Sequence, residues 1–179
     1  MAAKYRICIT GYPVQNYYGD QKLDLMAGIF NLVDSLQKSF DKQTNIILVH
    51  GAGTALELWA GDAARYMGIP LEIFLPFNRI THIARSGMKP IQVENLNEQI
   101  AYADLVKVTS SSYYFHGYMK RTKAMIDHCN LTAIWEIHHY KTKNFQDYCI
   151  KRKKGIKDLI FYSLFPVDEN TWLQGDLLL

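Results

Sequence analysis

Two glycine-bearing turns and two charged residues carry the chemistry that can be read from this chain. One apolar run ends in Thr10-Gly11-Tyr12-Pro13, and another ends in His50-Gly51-Ala52-Gly53-Thr54. Small residues let a ligand approach the backbone closely, and the unpaired N–H groups that open a helix favour an anion. Gly51 and Gly53 ahead of a helix therefore suit a phosphate cradle. They suit equally a turn that only reverses the chain. Glu57 falls one turn into that helix. A carboxylate there can grip a ribose hydroxyl, assist glycosidic cleavage, or simply complement the helix dipole. Arg121, beside Lys120, opens a later helix. Its guanidinium can hold a phosphate bidentately or lie in solvent.

Two further turns bring in Pro76, from Pro76-Phe77-Asn78-Arg79, and Ser110 and Tyr113, from Thr109-Ser110-Ser111-Ser112-Tyr113-Tyr114. Tyr12 and Tyr113, at strand ends, are candidates for stacking on a purine face. Trp59 lies on a different side of its helix from Glu57 and reads as core. Asp127 reads as a ligand contact or as a structural hydrogen-bonding residue. Other chemistries are excluded. No G-x-G-x-x-G follows the first strand and no P-loop occurs, which argues against dinucleotide dehydrogenases and P-loop NTPases. The adjacent His138 and His139 point to opposite faces of an extended segment, and no cysteine or aspartate spacing completes a metal site. His50, His82, His116 and His128 show no pairing with a nucleophile, so a triad hydrolase is not supported. No cofactor and no metal are expected. Between Lys141 and Lys157 lie seven basic residues and one acid, Asp147. That run reads as a nucleic-acid footprint or, more commonly for such runs, as a solvated helix face.

The elements that must position these residues alternate in period. Strands read at 5–10, 46–50, 71–75, 105–110, 131–137 and 158–164. Helical spacing runs from Lys22 to Phe40 through Met26, Ile29, Phe30, Val33 and Leu36, and again over 54–67, 95–103, 116–129 and 143–154. Residues 78–95 read as a loop or broken helix, and the last fifteen residues carry no assignment. Short strands separated by helices imply βαβ units, and apolar runs that barely alternate imply strands covered on both faces. The expected fold is α/β: a Rossmann-like three-layer α/β/α sandwich with a mostly parallel sheet. Ligands in such folds sit beyond the carboxyl ends of the strands, near a topological switch point.

Composition agrees with this outline. The 179 residues fit a single domain over 1–179, with a core of about 5–164 and a tail at 165–179. Hydrophobic residues at 49% and aromatics at 13% exclude a disordered chain. A net charge of +3, from 20 basic and 17 acidic residues, is too small to imply nucleic acid by itself. Cys8, Cys129 and Cys149 are too few and too scattered for a disulfide framework. The N-terminal residues lack the apolar segment of a secretory signal, and no stretch approaches the roughly 18 apolar residues of a membrane span. A soluble, cytoplasmic protein with no membrane partner is the expectation.

The strings ICITGYP and IILVHGAGTALELWAGDAARYMGIPLEIFLPF resemble the YpsA-like branch of the SLOG (Smf/DprA–LOG) superfamily. There an ITGY turn follows the first strand, a small-residue loop enters an ELWAAEAA-like helix, and the third strand ends in PF. NEQIAYADLVKVTS and KRTKAMIDHCNLTAIWEI resemble two later segments of that family, so the likeness runs from about residue 5 to 164. Thr122 stands where the family has asparagine, and the loop before Glu57 is one residue longer. In that longer form HGAGTALE resembles the LOG signature G-G-x-G-T-x-x-E, with His50 in place of the first glycine. The resemblance implies a Rossmann-like fold that binds nucleotides or nucleotide-derived ligands above the strands, and self-association into a homo-oligomer. Its members sense NAD-derived or cyclic ADP-ribose-like signals, cleave the N-glycosidic bond of nucleoside monophosphates, or bind single-stranded DNA.

The expected function is binding of a nucleotide or an ADP-ribose- or NAD-like derivative, in sensing, sequestration or regulation. Gly11 and the Gly51–Thr54 turn would contact it. The alternative is a nucleotide N-glycosidase in which Glu57 stabilises an oxocarbenium-like ribose while Arg121 holds the phosphate. A third reading is single-stranded DNA binding through the basic 141–157 face.

Overall fold

The computed structural model describes residues 3–11, 20–40, 44–114, 116–135 and 142–159. Its elements follow in the order β1 (Lys4–Gly11), α1 (Asp20–Ser39), β2 (Asn45–His50), α2 (Ala55–Met67), β3 (Leu71–Leu75) and α3 (Arg79–Ser86). They continue with α4 (Pro90–Tyr102), β4 (Leu105–Val108), α5 (Gly117–His128), β5 (Leu131–Trp135), α6 (Lys143–Lys151) and β6 (Gly155–Asp158). The six strands form one sheet in the order β4-β3-β2-β1-β5-β6, and every pairing is parallel. With helices on both faces, this is a Rossmann-like three-layer α/β/α sandwich.

Side-chain alternation along the central strands divides the core into two layers. Ile7 and Ile9 of β1, with Ile46 and Leu48 of β2, join the α1, α2 and α4 side chains in one cluster. Cys8, Ile47 and Val49 point the other way, toward Met125 and Ile126 of α5 and Cys149 of α6. Because successive strand side chains face opposite sides, one apolar run feeds both layers. From β1 the chain steps outward through β2 and β3 to β4, then returns to lay β5 on the other side of β1. The switch point therefore lies between β1 and β5, and a crevice opens there beyond the strand ends.

Local signals end the helices as the sequence suggests. Thr54 caps α2 by accepting from the Glu57 N–H at 3.2 Å. At its other end Gly68 takes a left-handed φ of 65° before Pro70. Several boundaries differ from expectation. Of the two readings of 78–95, loop or broken helix, the second is found: Asn78 caps α3 through the Thr81 N–H at 2.9 Å, the helix ends at the left-handed Gly87, and α4 begins at Pro90. His82 is the buried residue of α3 while Ile80 is exposed, so no apolar stripe announces that helix. Pro90 starts a helix because the first turn needs no N–H there. Strand β4 stops at Val108 and α6 at Lys151, while β6 begins at Gly155, ahead of the apolar run expected to form it. The expected strand residues 136–137 and 160–164 lie outside the described residues. No helix among the described residues is long and apolar enough to cross a membrane.

Candidate functional site

Beyond the end of β1, Gly11 lies in register with Trp135 of β5. A Cβ at Gly11 would run into the Trp135 backbone, so only glycine permits this close approach at the switch point. Beside it, the loop from β2 to α2 is held by two imidazoles. Ala52 sits at a left-handed φ of 52°, a conformation unfavourable for a residue with a Cβ. Its N–H donates to His50 Nδ1 at 3.1 Å, and its carbonyl accepts from His82 Nε2 at 2.9 Å. His50 Nδ1 is therefore the acceptor nitrogen and His82 Nε2 the protonated one. Burial, reinforced by the Arg121 charge, lowers the His50 pKa to about 3. Burial lowers that of His82 as well. Both rings are neutral at physiological pH, and for His50 the accepting Nδ1 requires it.

Arg121 projects from α5 into the concave side of this loop. Its Nη1 donates to the Gly51 carbonyl at 2.7 Å and to Glu57 Oε2 at 3.1 Å, while Nη2 lies 3.1 Å from Glu57 Oε1. Nη2 also donates to Thr122 Oγ1 at 3.2 Å. Glu57 Oε2 accepts in addition from the Gly53 N–H at 2.6 Å. Arg121 is 5% exposed and Glu57 2%, so this is a buried, two-pronged ion pair. A Cβ at Gly51 would meet the guanidinium carbon, and one at Gly53 would meet Nη1. The glycines of this turn make room for an arginine of the same chain. Arg121 Nε is buried without a hydrogen-bond partner among the described residues.

Next to the pair lies a cleft of about 310 Å³, lined by Thr10, Gly11, Gly53, Thr54, Glu57, Tyr118, Met119, Arg121, Thr122 and Phe145. It combines the end of β1, the start of α2, the first turns of α5 and one residue of α6. Such a volume is at the lower end of small-molecule sites. Six sequence-derived candidates thus share one wall: Thr10, Gly11, Gly53, Thr54, Glu57 and Arg121. Gly51 and Ala52 lie behind the guanidinium. Pro76, Ser110 and Tyr113 are not among the lining residues. Tyr113 is exposed and packs its ring on Phe77 with Arg85 over its face. Tyr12, His138 and His139 lie outside the described residues.

Sequence reasoning treated Arg121 and Glu57 as two separate ligand contacts, whereas the fold joins them to each other. It missed Tyr118, Met119, Thr122 and Phe145, which line the cleft, and the loop-holding roles of His50 and His82. A histidine just before a glycine turn was the available signal for His50. Asp127 is structural, accepting from Arg152 Nε at 2.6 Å and Tyr148 OH at 2.9 Å. Trp59 packs partly buried against the larger core cluster. In the basic stretch, Lys143 pairs with Asp147, Arg152 with Asp127, and Lys154 donates to the Asp127 and Cys129 carbonyls. Three of its cations are thereby engaged in contacts within the chain.

Fold and site together define a Rossmann-like α/β protein with a cleft at the switch point of its sheet. No protein-family model matches the chain, and no curated protein matches it.

Proposed function

We propose that this protein binds a nucleotide-derived small molecule in the cleft above β1, as a sensing, sequestering or regulatory protein. The supporting observation is the placement of Thr10, Gly11, Gly53 and Thr54 around one cleft beside the switch point. Open α/β sheets bind their ligands in that place. The resemblance of the ITGY and HGAGTALELWAGDAA segments to YpsA-like members of the SLOG superfamily supports a nucleotide-derived ligand. Binding is favoured over glycosidic cleavage by the state of Glu57, whose oxygens already accept from Arg121 and the Gly53 N–H. Both oxygens of that carboxylate are thus taken up by contacts within the chain.

A thermal-shift screen of nucleosides, nucleoside monophosphates, ADP-ribose and NAD tests the proposal, with released base followed by chromatography. A ligand at a hundred times its Kd contributes about 2.7 kcal/mol to stability. A shift without base release is the expected result. Base release would move the protein into the hydrolase class, and no shift across the panel would end the proposal.

A further inference from the structure

Among the described residues, the charges that line the cleft cancel. Among the described lining residues the only anion is Glu57 and the only cation is Arg121, and they contact each other at 3.1 Å through both nitrogens and both oxygens. His50 and His82, which hold the adjacent loop, are neutral rings. The concave side of the glycine loop, where a phosphate would rest, is occupied by the Arg121 guanidinium. Around this neutral floor stand the hydroxyl-bearing residues Thr10, Thr54, Thr122 and Tyr118 and the apolar Met119 and Phe145.

On the guanidinium one N–H remains. Among the described residues Arg121 Nε is buried without a hydrogen-bond partner, in a residue that lines the cleft. A buried donor without a partner costs stability until an acceptor reaches it. Because Glu57 already neutralises the guanidinium, a neutral acceptor such as a hydroxyl, ring oxygen or base carbonyl satisfies it without adding charge. A phosphate in the loop would have to displace Glu57 and leave that carboxylate buried and unpaired, which is strongly unfavourable.

We infer that the cleft takes the uncharged nucleoside portion of its ligand, base and ribose, and that its described residues provide no seat for a phosphate. This rests on the nucleotide-derived ligand proposed above and narrows it. The ligand is a free nucleoside or a derivative whose phosphates remain outside the cleft.

The test is titration calorimetry on the full chain with four ribonucleosides and their 5′-mono- and diphosphates, at low and high salt. For the base that binds, the three Kd values should agree within about threefold and change little with salt, since no phosphate meets an unpaired cation. Affinity rising about tenfold or more with the first phosphate, and weakening in high salt, would overturn the inference while leaving nucleotide binding intact. No binding by any of the twelve compounds would overturn the inference and the underlying proposal together. A second measurement uses Glu57→Gln, which leaves the guanidinium charge unbalanced. The variant should acquire a preference of about tenfold or more for the monophosphate over the nucleoside. If it does not fold, the wild-type titrations decide alone.

Discussion

The Arg121 guanidinium and the Glu57 carboxylate meet edge to edge, Nη1 to Oε2 and Nη2 to Oε1, each at 3.1 Å and almost sealed from water. The pair ties α5 to the first turn of α2. Through the Gly51 carbonyl and the Gly53 N–H it also fixes the intervening loop.

Removing one partner strands a buried charge. Glu57→Gln and Arg121→Met should each lower unfolding stability by about 3–5 kcal/mol, read from the denaturant midpoint. The double variant Glu57→Leu with Arg121→Met should recover most of that loss, because an apolar pair of similar volume carries no desolvation penalty. A loss in the double variant equal to the sum of the two single losses would show that the two residues do not act as a pair.

Gly51 is required by its neighbour and not by its backbone conformation. Gly51→Ala should cost about 1–3 kcal/mol by forcing the guanidinium out of place. In an Arg121→Ala background the same substitution should cost less than about 1 kcal/mol, so a double-mutant cycle exposes the coupling.

His50 makes stability pH-dependent. Its folded-state pKa, about 3, lies below the ordinary 6.5, because burial and then the Arg121 charge disfavour the protonated ring. The unfolded chain therefore binds the extra proton more readily. This contribution is complete above about pH 6.5 and is lost as pH falls toward 3, on the order of 5 kcal/mol in all. His50→Asn keeps an acceptor for the Ala52 N–H but cannot titrate. Its stability curve should be flatter over that window, and an unchanged slope would contradict the assignment.

At the other end of the sheet, Glu72 of β3 accepts from Arg6 Nε at 3.0 Å and lies 2.6 Å from His128 Nε2. Burial alone would raise its pKa, but the hydrogen bonds from Arg6 and His128 outweigh this and lower it. Its contribution is present above the ordinary value of 4.5 and is lost as pH falls through the folded-state value. Glu72→Gln should cost about 1–3 kcal/mol at neutral pH. The gap to wild type should narrow in acid, as measured by denaturant unfolding across pH.

Much of this architecture was legible in the chain. The strand-ending turns at Gly11 and Gly51–Gly53, the α2 boundaries at Thr54 and Gly68, and both members of the buried pair carry local signatures. The pairing of Glu57 with Arg121 had none. The two lie 64 residues apart, and only the return of the chain to β5 brings α5 beside the β2–α2 loop. The segment that holds α3 read only as a loop or broken helix because a histidine, not an aliphatic residue, faces inward. Strand β6 was placed too late because its half-buried GIKD sequence lacks the apolar run that marks an interior strand. Ala52 was hidden differently: between two glycines, it was the residue least expected to hold a left-handed backbone.

Native mass spectrometry of the protein titrated with its best-binding nucleoside, compared with Met119→Trp, tests the central claim most directly. Met119 is half-buried on α5 and lines the cleft, so an indole there takes up space that the ligand would occupy while both partners of the ion pair are kept. The wild-type chain should carry one nucleoside per copy, while the variant, with an unchanged unfolding midpoint, should carry none. Equal occupancy in the two proteins would show that the ligand sits elsewhere, and the cleft above β1 would lose its assigned role.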